Sequence, residues 1–232
     1  DQEYWEKKYS ACPGESRIRP RCISRFSVQA KRITKILPLH LESEMASYCK
    51  SYSVTPAVLF ETALIIYLAK INPESRSVTI GIPVLNRRNA KEKTIAGMCV
   101  STMPLTVVLS EEMTVAELEK KIGREHKDIF RHQKYSYTDI LKFLRQSQCF
   151  SGSMYDAMVS FQNAKTHTDA ETKWYSNGYS EVPFVMHIDN RDRHESYTIN
   201  VDYQTEVFKE EEEVEYVIKR LEYILQQMMQ GN

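Results

Sequence analysis

Between Ala57 and Ala69 the chain runs AVLFETALIIYLA, a stretch that puts apolar side chains on every side of a helix. Such a helix has no face to offer water and must be covered all round. It contains Glu61 and falls short of the roughly 18–20 residues that a membrane span requires. The spacing therefore predicts a buried core helix in a soluble, cytoplasmic protein. Thr55 supplies its N-cap and Pro56 its first helical position. The rest of the chain has to provide the layers that wrap it.

Those layers are legible in the periodicity. Phe26, Val28 and Ala30 alternate with polar residues as a strand would, and a helix is expected from near Glu42. SVTIGIP carries Val78, Ile80 and Ile82 and should end against Pro83, while TMPLTVVL gives a strand from Thr102 to Leu109. Thr114 caps a long helix with Val115, Leu118, Ile122, Ile129 and Phe130. Further strands are expected near Tyr155–Phe161, Pro183–Ile188 and Tyr197–Tyr203. In the last helix Val214, Val217, Ile218, Leu221, Leu225 and Met228 recur at helical spacing, and Gly231 closes it. Glu210 to Glu213 open it, where the backbone dipole favours negative charge. DQEYWEKKYS is polar and predicts a helix rather than a secretory signal. The stretch Cys12 to Arg25, with Pro13, Gly14 and Pro20, predicts a loop. The expected organisation is a linker helix and loop over 1–25 and one main unit over 26–232. Its fold class is α/β, a layered sandwich with a mixed sheet covered by helices.

Several function classes are excluded. Lys+Arg and Asp+Glu both number 31, so the basic excess that drives nucleic-acid binding is missing. Gly 7 and Pro 8 are too few for a disordered chain. The cysteines Cys12, Cys22, Cys49, Cys99 and Cys149 are odd in number, scattered and never in C-x-x-C; reduced thiols are expected, with no disulfide framework and no metal site. The six histidines (His40, His126, His132, His167, His187 and His194) lack H-E-x-x-H or comparable ligand spacing. No G-x-S-x-G, G-x-G-x-x-G or P-loop occurs. His187 and Asp189 would share one face of a strand and could orient an imidazole, although an ordinary polar strand face explains them as well.

Three segments in order carry more. They are Gly81-Ile82-Pro83-Val84-Leu85-Asn86-Arg87, then IAGMCVSTMPLTVVL from Ile95 to Leu109, then HQKYSYTDIL from His132 to Leu141. Together they resemble the condensation domain of nonribosomal peptide synthetases, whose corresponding stretches run approximately IGxPxxxR, IGxFVNTLPLR and HQDxPFExL. The flanks resemble it too: Tyr4-Trp5 is similar to the YW that opens the linker before the second lobe, VSFQN (Val159 to Asn163) to FxLQN, and VDYQTEVF (Val201 to Phe208) to LxYNTDLF. The resemblance covers essentially the whole chain but only the second half of the family's domain. It implies one lobe of the chloramphenicol acetyltransferase type. A second such lobe, carrying the motif HHxxxDG, would face it across a tunnel; no HHxxxDG string occurs in these residues.

The resemblance implies the following roles. Arg87 matches the arginine that pairs with the aspartate of HHxxxDG; alone, it should lie at a surface, in water, or against a substitute acid. Asn163 matches a polar position near the active site. The segment Gly97 to Pro104, with Gly97, Ser101 and Thr102, would line the tunnel. No catalytic residue is expected in this chain, and His132 is not expected to act as a base. Ser101 and Cys99 replace the asparagine and phenylalanine of FVNT, Ser136 and Tyr137 replace PF, and SQCFSGSM barely resembles RDxSRNPL, all of which points to a divergent member. The implied partners are the missing N-terminal lobe, peptidyl or acyl carrier proteins and adjacent synthetase domains. The phosphopantetheine arms would belong to the carriers, leaving no cofactor of this chain's own. A non-catalytic docking module for carriers or a neighbouring domain is the alternative, and a stand-alone acyltransferase ranks last because no H-x-x-x-D occurs.

Overall fold

The computed structural model describes residues 1–19, 27–147, 152–162, 174–190 and 196–231. The all-round apolar helix is present as α3 (Pro56–Ile71), with the Thr55 side chain accepting from the Val58 N–H. Leu59, Leu64, Ile65 and Leu68 are fully buried on its different sides. A six-stranded mixed sheet forms its floor. In chain order the strands are β1 (Ala30–Ile36), β2 (Ser77–Val84), β3 (Ser101–Val108), β4 (Ala157–Gln162), β5 (Phe184–Asp189) and β6 (Thr198–Gln204). They lie side by side as β1-β6-β5-β4-β2-β3. The β2–β4 and β4–β5 pairs are parallel and the others antiparallel. No single helix among the described residues is long and apolar enough to cross a membrane.

Strand alternation sorts the two faces of this sheet. Ile80, Leu105, Val159, Met186 and Val201 are buried on the face that packs against α3 and the helices beside it. Those neighbours are α2 (Leu39–Tyr52), α5 (Val115–Arg131) and α7 (Glu211–Gln230). Thr114 and Glu117 form a reciprocal capping box at the start of α5, and Glu210 with Glu213 does the same for α7, whose C-cap Gly231 is left-handed. Between α3 and α5, His126 Nε2 sits 2.8 Å from Glu61 Oε2. Burial pushes the Glu61 carboxyl up, while the Glu61 contact raises the His126 imidazole despite its burial.

The opposite face is divided. Over β2 and β3 it is covered by α1 (Gln2–Lys8) and α6 (Tyr137–Gln146). Trp5 and Tyr9 are buried there: Trp5 Nε1 donates to the His132 carbonyl at 2.8 Å, and the Tyr9 hydroxyl lies 3.0 Å from Thr106 Oγ1. The segment that follows is tied down as well. Ser16 bridges to Tyr155, Ile18 is buried, and Arg17 pairs with Asp156 at 2.9 Å.

Over β1, β6 and β5 the same face is polar. Arg32 and Asp202 face each other across β1 and β6, and the guanidinium grips both carboxylate oxygens at 2.6 Å. Thr34 Oγ1 donates to Asn200 Oδ1 at 2.7 Å. Expectations and structure differ in places. Among the described residues the first strand runs from Ala30, with an isolated bridge from Gln29 to Tyr179 ahead of it, and Phe26 lies outside the described residues. Pro83 lies inside β2 rather than ending it. Helix α6 was not anticipated; Ser136 caps it by accepting from the Asp139 N–H. Cys49 and Cys99 are free thiols, but Cys12 is disulfide-bonded, which corrects the expectation of reduced thiols throughout. Cys22 and Cys149 lie outside the described residues.

Burial alone would push the Asp202 carboxyl up, yet the hydrogen bond from His187 and the bonds and charge of Arg32 hold it down at about 2. A depressed carboxylate contributes stability above its unfolded value of about 4 and loses it as pH falls through about 2. Acid titration of the fold should therefore show a loss of stability between those limits that is absent from Asp202→Asn. That variant should also be destabilised near neutral pH by about 3–5 kcal/mol, since it leaves Arg32 buried without its partner; chemical denaturation at pH 7 and pH 3 measures both effects.

Candidate functional site

Strands β2 and β3 lie side by side, so the connection over 85–100 leaves and returns at one end of the sheet. Val84 pairs with Ser101 and Pro83 with Thr102. Because β4 runs parallel to β2, its last residue Gln162 lies at that same end. Arg87, Gly97, Ser101 and Thr102 are thus brought together at the β2–β3 connection. Asn163 lies outside the described residues.

The two glycines here serve different purposes. A Cβ on Gly81 would meet the Tyr155 ring at 2.5 Å, so glycine is required by close approach of β2 to that ring. At Gly97 an added Cβ would meet nothing within 4 Å; its φ of 139° is what calls for glycine. The loop also turns at Asn86, which is left-handed with φ 52°.

Arg87 is half-buried and spans its own loop. Its Nη2 donates to the Gly97 carbonyl at 2.7 Å and its Nη1 to the Lys93 carbonyl at 3.4 Å. Its hydrogen-bond partners among the described residues are therefore backbone carbonyls. These bonds leave the fork charged and uncompensated by a carboxylate of the described residues, at the rim of the sheet. Within the loop, α4 (Ala90–Lys93) is capped by the Asn89 side chain, which accepts from the Glu92 N–H at 2.8 Å.

Lys134 lies just beyond α5. Its Nζ donates to the Asn86 carbonyl at 2.7 Å and to Glu92 Oε2 at 2.8 Å. Glu92 Oε2 also accepts from the Arg88 N–H at 2.7 Å. These contacts, the hydrogen bond from Lys134 foremost, hold the Glu92 carboxyl below its usual range. Asp1 reaches the same cluster, pairing with Arg88, accepting from the Lys134 N–H at 3.2 Å and lying 3.3 Å from His132 Nδ1. His132 stacks on Tyr4 with ring centroids 4.0 Å apart, and burial, with the Arg88 charge nearby, pushes its imidazole down. Sequence reading missed Lys134 and Glu92, because no local pattern links positions 42 residues apart.

Beside Arg87 the loop presents apolar side chains to solvent: Leu85 is 64% exposed, Ile95 53%, Met98 94% and Val100 55%. Four large apolar groups on one connection are thus left exposed to solvent. His187 lies elsewhere, on the polar sheet face. Its Nε2 sits 3.4 Å from Asp202 Oδ2 on the neighbouring strand, so the carboxylate beside it comes from β6, and the two residues lie on the polar strand face that the sequence also allowed.

Comparison with known proteins bears on the fold and the family. The family model described as Condensation domain matches residues 1–231. Surfactin synthase subunit 1 of Bacillus subtilis (strain 168) is 26% identical over 91% of this chain and 6% of its own length. A plipastatin synthase subunit of the same organism is 26% identical over 86% of this chain and 8% of its own. Among solved structures, the first condensation domain of the CDA synthetase superposes with a TM-score of 0.81 at 13% identity, covering 98% of this chain and 50% of that one. The X-domain in complex with OxyB from teicoplanin biosynthesis superposes at 0.78 with 15% identity, covering 99% of this chain and 53% of that one. The chain thus spans about half of these solved structures and a small fraction of the curated relatives.

Because the Arg87 side chain bonds only to its own loop among the described residues, Arg87→Ala should shift the thermal midpoint by no more than about 2 °C. Amide exchange over 88–97 should rise in the same variant. Calorimetry and hydrogen-exchange mass spectrometry check the two halves.

Proposed function

The chain belongs to the condensation-domain family of nonribosomal peptide synthetases, and from that premise we propose that it serves as the C-terminal lobe of such a domain. Residues 26–232 would form the lobe and 1–25 the linker strapped onto it. The reaction of the assembled domain joins a carrier-bound acyl or peptidyl thioester to a carrier-bound aminoacyl acceptor. The acceptor amine attacks the thioester carbonyl, the C–N bond forms as the C–S bond breaks, the thiol stays on the donor carrier, and the amine gives up a proton. In this reading the imidazole that handles the proton, from HHxxxDG, belongs to the partner lobe. This chain contributes a wall of the tunnel and the arginine that steadies the motif.

The observation that carries the reading is the apolar loop of Leu85, Ile95, Met98 and Val100 beside a half-buried Arg87 that holds only backbone carbonyls among the described residues. An exposed patch of this kind is costly in water and favours association. Arginine suits the proposed pairing because its planar fork stays charged and grips a carboxylate at two points. Gly97, Ser101 and Thr102 would line the wall that a pantetheine arm passes, with Asn163 near the reacting groups. The arms arrive on carrier proteins and are substrates, so the proposal needs no resident cofactor. Its expected setting is a multidomain synthetase in the cytoplasm.

In this reading the chain alone forms no amide bond. With donor-loaded and acceptor-loaded carrier proteins it should give no condensed product by mass spectrometry, whereas the synthetase segment that joins it to its HHxxxDG lobe should give product. Product from the chain alone would overturn the lobe assignment. Carrier binding by the joined segment with no product would favour the docking-module alternative.

A further inference from the structure

We propose that Lys134 is a positioning residue for Arg87, acting through Asn86 and Glu92; the inference rests on the condensation reading above and extends it to residues outside the resemblance-assigned site. Lys134 Nζ holds the residue before Arg87 by its carbonyl, at 2.7 Å from Asn86 O. The same ammonium group holds Glu92 Oε2 at 2.8 Å, and that oxygen takes the N–H of the residue after Arg87, at 2.7 Å from Arg88 N. One cation–anion pair therefore fixes the backbone on both sides of the arginine.

The loop needs such a clamp. Asn86 is left-handed and its Oδ1 is buried without a hydrogen-bond partner. Conformations of this kind persist only where the surroundings over-determine them, and they concentrate at functional sites. The loop's own regular structure is only the four-residue α4. Lys134, in contrast, follows the 17-residue α5, and its N–H is tied to Asp1. The anchor thus adjoins a long helix, whereas the anchored segment has only one short one.

The Lys134 and Glu92 side chains are 38% and 27% exposed, so the pair adds little to global stability. Its consequence is geometric. With Asn86 and Arg88 held, the Arg87 guanidinium is aimed across the loop at Gly97 O, and an incoming carboxylate would meet a fork already in place.

The test uses the complete synthetase that contains this chain, with single-turnover amide formation between loaded carriers as the readout. Lys134→Met should slow condensation about tenfold or more with little change in the apparent KM for the acceptor carrier, and Lys134→Arg should recover to within about threefold of wild type. In an Arg87→Ala background, Lys134→Met should cost less than about twofold more, because the two act on one element. In parallel, hydrogen exchange over 86–93 of this chain should accelerate in Lys134→Met while β2 and β3 stay protected and the melting temperature is unchanged. Wild-type condensation by Lys134→Met, or losses that multiply with Arg87→Ala, would overturn the proposal. A wild-type synthetase that forms no amide bond would refute the condensation reading instead; the exchange measurement then decides, and unchanged protection over 86–93 would overturn the role of Lys134.

Discussion

The architecture follows from one obligation, that α3 be shielded on every side. A helix bearing Leu59, Phe60, Leu64, Ile65 and Leu68 around its circumference has a large transfer free energy at stake, about 1.5–3 kcal/mol for each such side chain. One layer of sheet covers only one side. The remaining sides require α2, α5 and α7, whose apolar stripes are narrower and leave an outer face for water. The sheet in turn must keep Met186, Val201, Val159, Ile80 and Leu105 on the face toward α3. That fixes strand register, since a one-residue slip would turn them all to the other side.

The same register decides what the opposite face can be. Once the apolar residues point at α3, their neighbours Arg32, Thr34, His187, Asn200 and Asp202 must point away from it. Several of their polar atoms pair across strands, as in the two-point Arg32–Asp202 grip, while His187 Nδ1 is buried with no hydrogen-bond partner among the described residues. Over β2 and β3 the outward face is instead packed by Trp5 and Tyr9. The described part of the stretch expected as a linker, residues 1–19, is therefore fastened to the sheet by its own aromatic residues. Its first residue, Asp1, reaches Arg88 and His132 beside the loop that holds Arg87.

Local signals were enough for elements whose cause is local. Thr55, Thr114 and Gly231 mark helix ends by side-chain capping or positive φ, and α3 and α7 carry unmistakable periodicities, so these were legible in the sequence. The start of β1 was not, because alternation at Phe26, Val28 and Ala30 says nothing about where β6 stops offering a partner. Helix α6 has only ten residues, too short for a periodicity to stand out beside its Ser136 cap. At the site, Arg87, Gly97, Ser101 and Thr102 are near one another in sequence, and the hairpin gathers them. Lys134, and the Asp202 beside His187, come from distant segments, and pairings of that kind exist only once the chain is folded.

The two borders of the sheet differ in how they end. At β1 the ladder continues briefly: Ala30 N donates to Gly178 O and Ser180 N to Val28 O, both at 2.8 Å, so a short cover strip occupies part of that margin. At β3 no further strand follows among the described residues, but Pro104 has no N–H to give, and Lys121 occupies the Val108 carbonyl at 2.5 Å. A foreign strand arriving along β3 would find a missing donor in the middle and a taken acceptor at the end. The molecule can thus leave an oily loop exposed without also offering its rim to fibre growth.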